Sequence, residues 1–213
     1  MYAAIATRPD IAFAVNCLAQ FSSKPSKTHW DAVGKVFCYL NQTKNLGILY
    51  DRCGGAAKIE VTGFTDAGNG TESTSGCSTS GAVHVLAGGA IKWISEKQRG
   101  LTLSEMESEF IASCKTAQSG LWIRDLLLDL GFRQGPVNIW IDNSASLRIT
   151  ENPESHKRAL HIQRKYFLIQ QQCELGTIAL HKVEIGKNTA NIFTKSPPKP
   201  IFLGHLTSIG LSE

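Results

Sequence analysis

Lys58-Ile-Glu-Val-Thr-Gly-Phe-Thr-Asp-Ala67 is the stretch on which the fold turns. From Lys58 to Thr65 polar and apolar residues alternate and β-branched ones recur, as a half-buried strand requires. The strand gives way to an acid, Asp66, where the chain is expected to leave the sheet. Two further candidate strands, Gly81 to Leu86 and Ala90 to Ser95, are joined by the turn-like pair Gly88-Gly89. Their short connections predict an antiparallel meander. A long helix then starts at Ser104, with Glu107 three residues on as a capping box requires. Its apolar face runs through Met106, Phe110, Cys114, Ala117 and Leu121 toward Leu130, with Gly120 a candidate bend and Gly131 a stop.

Val137 to Ile141 is apolar enough for a central, buried fourth strand. Helical segments are expected near Ser144 to Thr150 and His156 to Cys173. A fifth strand follows over Gly176 to Val183, then a short helix over Thr189 to Lys195, stopped by Pro197-Pro198. The expected fold is α/β, a five-stranded mixed sheet of antiparallel meander plus parallel strands flanked by helices. Upstream, Pro9 suits a helix start, and Ile11, Val15, Leu18 and Phe21 recur at helical spacing. Ser23-Lys-Pro-Ser26 breaks that pattern before a second amphipathic helix carrying Trp30, Val33, Val36, Phe37 and Leu40. Two helices cannot enclose a core of their own, so this N-terminal helical appendage must pack on something else. The expected organisation is an appendage over 1–50, a Gly-containing linker over 51–57, the α/β domain over 58–195, and a C-terminal tail over 196–213.

A chain of 213 residues with 42% hydrophobic content fits a globular protein, and its formal net charge of +4 leans only weakly toward anionic partners. Six cysteines, at 17, 38, 53, 77, 114 and 173, never form C-x-x-C, which argues against a zinc ribbon or a thioredoxin-like motif. With no secretory segment recognised, reduced intracellular thiols are expected. The N-terminal apolar run Ile11 to Val15 is far too short to span a bilayer, so no membrane partner is expected.

Three acids stand out by position. Asp66 ends the first strand, Asp142 follows the fourth, and Glu109 lies in the first turns of the long helix. If the first and fourth strands are parallel neighbours, Asp66 and Asp142 lie side by side, and a helix across that end delivers Glu109 between them. Clustered carboxylates raise one another's pKa unless a cation neutralises them, and oxygen-rich acidic clusters select Mg²⁺ or Mn²⁺. Two such ions about 4 Å apart activate a water and stabilise the leaving 3′-oxygen of a phosphodiester. The plainer alternative stays open: a strand-end Asp is often a turn residue, and an early helical Glu favours the helix dipole.

The local sequences add a resemblance. Val61-Thr-Gly-Phe-Thr-Asp-Ala67 resembles the first-strand motif of retroelement ribonucleases H, and Cys77-Ser-Thr-Ser-Gly81, Gly88-Gly-Ala-Ile-Lys-Trp93 and Ser95-Glu-Lys-Gln98 are similar to its copia-type continuation. Leu103-Ser-Glu-Met-Glu-Ser-Glu-Phe-Ile-Ala112 resembles that family's glutamate-bearing helix, in a register that points to Glu109. Ile139-Trp-Ile-Asp-Asn-Ser-Ala145, then His156-Lys-Arg158, His161-Ile and Tyr166, and finally Ala190-Asn-Ile-Phe-Thr-Lys195 complete the series. Thr7-Arg-Pro-Asp-Ile11, with Pro25, His29 and Trp30, resembles the segment joining polymerase to ribonuclease H in the same elements. The ordered set covers nearly the whole chain. It implies a ribonuclease H-like fold preceded by a C-terminal remnant of reverse transcriptase, from the Pol polyprotein of a copia-type long-terminal-repeat retrotransposon.

The implied activity is hydrolysis of the RNA strand of RNA–DNA hybrids. Asp66, Glu109, Asp142 and Asn191 are the implied catalytic and metal-binding residues for two Mg²⁺ or Mn²⁺ ions, and His156, Arg158, His161 and Lys165 are the candidate substrate contacts. The implied partners are the hybrid and the upstream polymerase domain, and the implied compartment is cytoplasmic element particles or the nucleus. An integrase would place its glutamate last, whereas Glu109 comes second. The chain also departs from the family. Asn191 stands where a fourth carboxylate is usual, Gly68 where a second acid is usual, and Cys77 where a basic residue is usual. Leu160 and Gln163 replace a lysine and an aspartate around His161. Fewer basic groups weaken phosphate contacts, and a decayed copy that only binds nucleic acid is the alternative.

Overall fold

The computed structural model describes residues 1–50, 59–68, 76–102, 104–143 and 160–213, with only the backbone for 160–166. The expected linker over 51–57 and the helical segment near 144–150 lie outside the described residues. Five strands form one sheet: β2 (Thr62–Gly68), β3 (Thr79–Leu86), β4 (Gly89–Lys97), β5 (Val137–Ile141) and β6 (Ile178–Lys182). Their order is β4-β3-β2-β5-β6. The first three pair antiparallel, while β5 runs parallel to both β2 and β6. An antiparallel meander continued by parallel strands on the first strand's other side is the ribonuclease H-like arrangement.

The meander's hairpin turns at Ala87-Gly88, one residue earlier than the expected Gly88-Gly89. Both residues have positive φ, 50° and 80°, as a two-residue turn matched to strand twist requires. Strand β2 does not end before Asp66. Its parallel pairing stops at Thr65 opposite Ile141, but its antiparallel pairing continues to Gly68 opposite Thr79. Asp66 therefore sits inside a strand whose β5-side edge is open.

The first core lies between one sheet face and two helices, α4 (Glu105–Asp129) and α5 (Leu160–Glu174). Phe110, Cys114, Ile123, Val137, Ile139, Ile141 and Ile169 fill it. Each such large apolar side chain contributes roughly 1.5–3 kcal/mol on burial. Helix α4 is continuous through Gly120. A Cβ there would meet Val137 Cγ1 at 2.9 Å, so this glycine serves close helix–sheet approach rather than a bend. Ser104 caps α4 by accepting from the Glu107 amide.

A second core covers the meander's other face. It joins Val83 and Ala90 to Ile192 and Phe193 of a 3-10 turn, Thr189–Phe193, and to Leu206, Ile209 and Leu211. The stretch beyond 195, read from sequence as a tail, folds as α6 (Lys199–Ser208) and the two-residue β7 (Leu211–Ser212), which pairs antiparallel with β1 (Gly47–Ile48). The N-terminal helices α1 (Tyr2–Ala6) and α2 (Ala12–Ala19) reach the same side: Trp93 Nε1 donates to the Ala4 carbonyl, and Ala12 joins the core. A buried Arg8–Asp10 ion pair, extended to Thr43, ties this entry to the end of α3 (Lys27–Gln42). Helix α3 itself buries no residue, and the groove of about 510 Å³ between α2 and α3 is apolar, with Trp30 and Phe37 exposed. Among the described residues no helix is long and apolar enough to cross a membrane.

Candidate active site

Alternation along β2 and β5 puts Phe64 and Asp66, and Trp140 and Asp142, on the sheet face opposite the α4 core. Asp142 is the first residue after β5. Glu109, the fifth residue of α4, comes from the other side and reaches round the open edge of β2, where its carboxylate accepts from the Ala67 amide. One carboxylate oxygen from each of Asp66, Glu109 and Asp142 lies within 4.8 Å of the others. The sequence-predicted trio is thus brought together by three separate elements.

The electrostatics follow from that crowding. Burial, reinforced by the charges of Asp66 and Asp142, pushes the Glu109 carboxyl up to about 9. Asp142 is raised for the same reasons, burial first and then Asp66, with a side-chain hydrogen bond from Asn188 partly offsetting them. Glu109 Oε2 is buried without a hydrogen-bond partner. Such a group is costly to leave unpaired. Converging buried carboxylate oxygens with a spare acceptor fit a hard divalent cation, and such a cation would relieve the mutual repulsion.

Asn191 is buried in the 3-10 turn. Its Nδ2 donates to the Ile185 carbonyl at 2.6 Å, which leaves Oδ1 as a second buried acceptor without a partner. Its backbone carbonyl lies 3.2 Å from the Thr194 hydroxyl, which donates to Asp66 Oδ2. Lys195 Nζ lies 3.5 Å from the same Asp66 oxygen. Asn188, fully buried, caps the 3-10 turn through the Ala190 amide and donates to the Thr65 carbonyl at 2.8 Å. Sequence reasoning missed Asn188, Thr194 and Lys195. The last two stood in the quoted motif, where attention went to Asn191 alone, and Asn188 carried no signal.

This segment reaches Asp66 because two glycines give way to it. A Cβ at Gly81 would meet Thr194 Cγ2 at 2.5 Å, and one at Gly68 would meet the Thr194 carbonyl oxygen at 2.7 Å. The second acid that the family usually has at position 68 has no room here. Glu184 is not part of the cluster and pairs with Lys187 Nζ at 2.9 Å while largely exposed. His156 and Arg158 lie outside the described residues. His161 and Lys165 fall in the first turns of α5, whose side chains up to 166 also lie outside them. Trp140 is half-buried between Phe64 and His181, whereas Trp122 is exposed under the Lys92 ammonium.

No family model matches the chain. The Pol polyprotein of transposon TNT 1-94 from Nicotiana tabacum is 32% identical over 202 residues, 95% of this chain and 15% of that protein. The Pol polyprotein of transposon RE1 from Arabidopsis thaliana is 31% identical over 208 residues, 97% and 14% respectively. The chain thus spans about one seventh of the length of these relatives. The secreted RxLR effector protein 161 of Plasmopara viticola is 40% identical over 123 residues, 58% of this chain and 84% of that protein.

Proposed function

Because the chain belongs to the retrovirus-related Pol polyproteins of transposons, we propose that its Asp66–Glu109–Asp142 site hydrolyses the RNA strand of RNA–DNA hybrids during the element's reverse transcription. The observation that carries this reading is the convergence of three carboxylates from β2, α4 and the end of β5 within 4.8 Å, on a ribonuclease H-like sheet. Asp66, Glu109 and Asp142, with the Asn191 carboxamide oxygen, are the groups that would hold Mg²⁺ or Mn²⁺. Bound there, the metal supplies an acidified water and a Lewis acid for the phosphate. Asn188 and Thr194 fix the orientation of Asp142 and Asp66, and Ala67 N–H that of Glu109. The hybrid would be recognised by its A-like shape and 2′-hydroxyls, with His156, Arg158, His161 and Lys165 as phosphate contacts.

Residues 1–50 are read as the C-terminal end of the polymerase, and the apolar α2–α3 groove as the face that meets the upstream polymerase domain. Element particles in the cytoplasm are the setting this implies. A second reading has one observation in its favour: Asn191 is neutral where the family carries a fourth carboxylate, which suits a copy that binds hybrid without cutting it.

The test is cleavage of a labelled RNA–DNA hybrid in Mg²⁺ and in Mn²⁺ by the parent, Asp66→Asn and Asn191→Asp. Cleavage by the parent that disappears in Asp66→Asn is the expected result. A folded parent that binds hybrid without cutting it, while Asn191→Asp cuts, establishes the decayed reading. Cleavage undiminished in Asp66→Asn overturns the assigned site.

A further inference from the structure

Lys195 stands closer to the carboxylates than any sequence argument placed it. Its ammonium lies 3.5 Å from Asp66 Oδ2, the oxygen that also accepts the Thr194 hydroxyl. The lysine side chain is half-exposed while the aspartate is buried, so the ammonium reaches in from solvent over the open rim of the site. Its charge acts on Glu109 and Asp142 as well as on Asp66. With Glu109 ionised, as a bound cation would require, three carboxylates facing one ammonium leave two negative charges, which a single divalent cation balances. A second cation at Asp66 Oδ2 must compete with the nearby ammonium and with the Thr194 hydroxyl that already donates to that oxygen. A cation bound elsewhere in the trio meets no such competition, since Glu109 Oε2 is buried without a hydrogen-bond partner.

We propose that Lys195 is a resident cation that occupies, at Asp66 Oδ2, the place of a second divalent ion, so that the site takes one ion readily and a second only when Lys195 withdraws. This rests on the metal-site reading given above. The position is held by the fold rather than by chance contact. Lys195 directly follows Thr194, the 3-10 turn that precedes both is anchored by Phe193 in the second core, and Gly68 and Gly81 let the segment sit against β2 and β3. The lysine is therefore an adjustable part of the site, with a solvent-facing stem free to swing outward.

The experiment is Mn²⁺ binding to the full chain, without nucleic acid, followed by the loss of the free-ion paramagnetic resonance signal. Parent, Lys195→Met, Lys195→Arg and Asp142→Asn are compared. The expected parent isotherm has one ion bound at least about tenfold more tightly than the second. In Lys195→Met the second ion tightens by about tenfold or more while the first changes less, and Lys195→Arg, which keeps the charge, behaves as the parent. Superimposable isotherms for parent and Lys195→Met, a second ion that weakens in Lys195→Met, or a Lys195→Arg that follows Lys195→Met overturns the resident-cation proposal and leaves the metal site standing. Absence of Mn²⁺ uptake by the folded parent, or uptake unchanged in Asp142→Asn, overturns the metal-site reading itself.

Discussion

His84 sits in β3 under α4 with no exposure, its Nε2–H donating to the Thr116 carbonyl at 3.0 Å while Nδ1 has no partner. Burial, reinforced by the charge of Lys92 and only partly opposed by the Thr116 hydrogen bond, lowers its pKa from 6.5 to about 4. The folded protein thus binds this proton less readily than the unfolded chain, so stability is whole above pH 6.5 and is lost as pH falls from 6.5 toward 4. Glu109 works in the opposite sense. Its folded pKa near 9 means that, without metal, the stability it contributes is present below pH 4.5 and is lost as pH rises toward 9. Replacing Glu109 by Gln removes the second effect; His205, also lowered by burial, adds to the loss at falling pH, and Asp142, raised by burial, opposes it. Denaturant melts of Glu109→Gln should show a loss on the order of 2 kcal/mol between pH 6.5 and 5. A flat profile over that window would contradict the burial of a neutral His84.

At the scale of elements, the site depends on how the Thr189–Lys195 segment docks on the meander. Gly81→Ala drives a methyl into Thr194 Cγ2, the Ala190 carbonyl and Phe193 Cβ, all within 3.0 Å. It should cost about 1–3 kcal/mol by overpacking and loosen the Thr194–Asp66 bond. Urea denaturation reads the first effect, and an unchanged midpoint would show that the segment does not dock as described. The same contact explains what could be read in advance. The Lys58–Thr65 alternation, the apolar Val137–Ile141 run and the Ser104 cap are local consequences of burial and hydrogen bonding, so the strands, the long helix and the three acids were legible, although β2 starts at Thr62 and runs on past Asp66. Thr194, Lys195 and Asn188 meet the carboxylates only through tertiary packing, which no spacing encodes. Gly68 and Gly120 likewise read as a missing acid and a bend, because the neighbour that each admits is far away in sequence.

Over the whole molecule, two cores grip the sheet from opposite faces, and the carboxylates stand at the strand end where they meet. The first core, built on α4 and α5, supplies Glu109. The second ties α2 and the C-terminal α6 and β7 to the meander and brings Lys195 to Asp66. The stretch after 195 is therefore part of what shapes the site, as Ile209 and Leu211, buried in the second core, make plain. The apolar α2–α3 groove, by contrast, is a surface that the described residues leave uncovered. On the proposed function, this assembly cuts one strand of a hybrid with its carboxylates. The most direct measurement is a time course on an RNA–DNA hybrid labelled on both strands, in Mg²⁺, with the parent and Glu109→Gln side by side. Fragments of the RNA strand, an intact DNA strand, and a rate about 100-fold lower or more in the variant are the expected result. The proposed function is contradicted if Glu109→Gln cuts at the parent's rate, or if a folded parent leaves the RNA strand whole and restoring the charge with Asn191→Asp still leaves it whole.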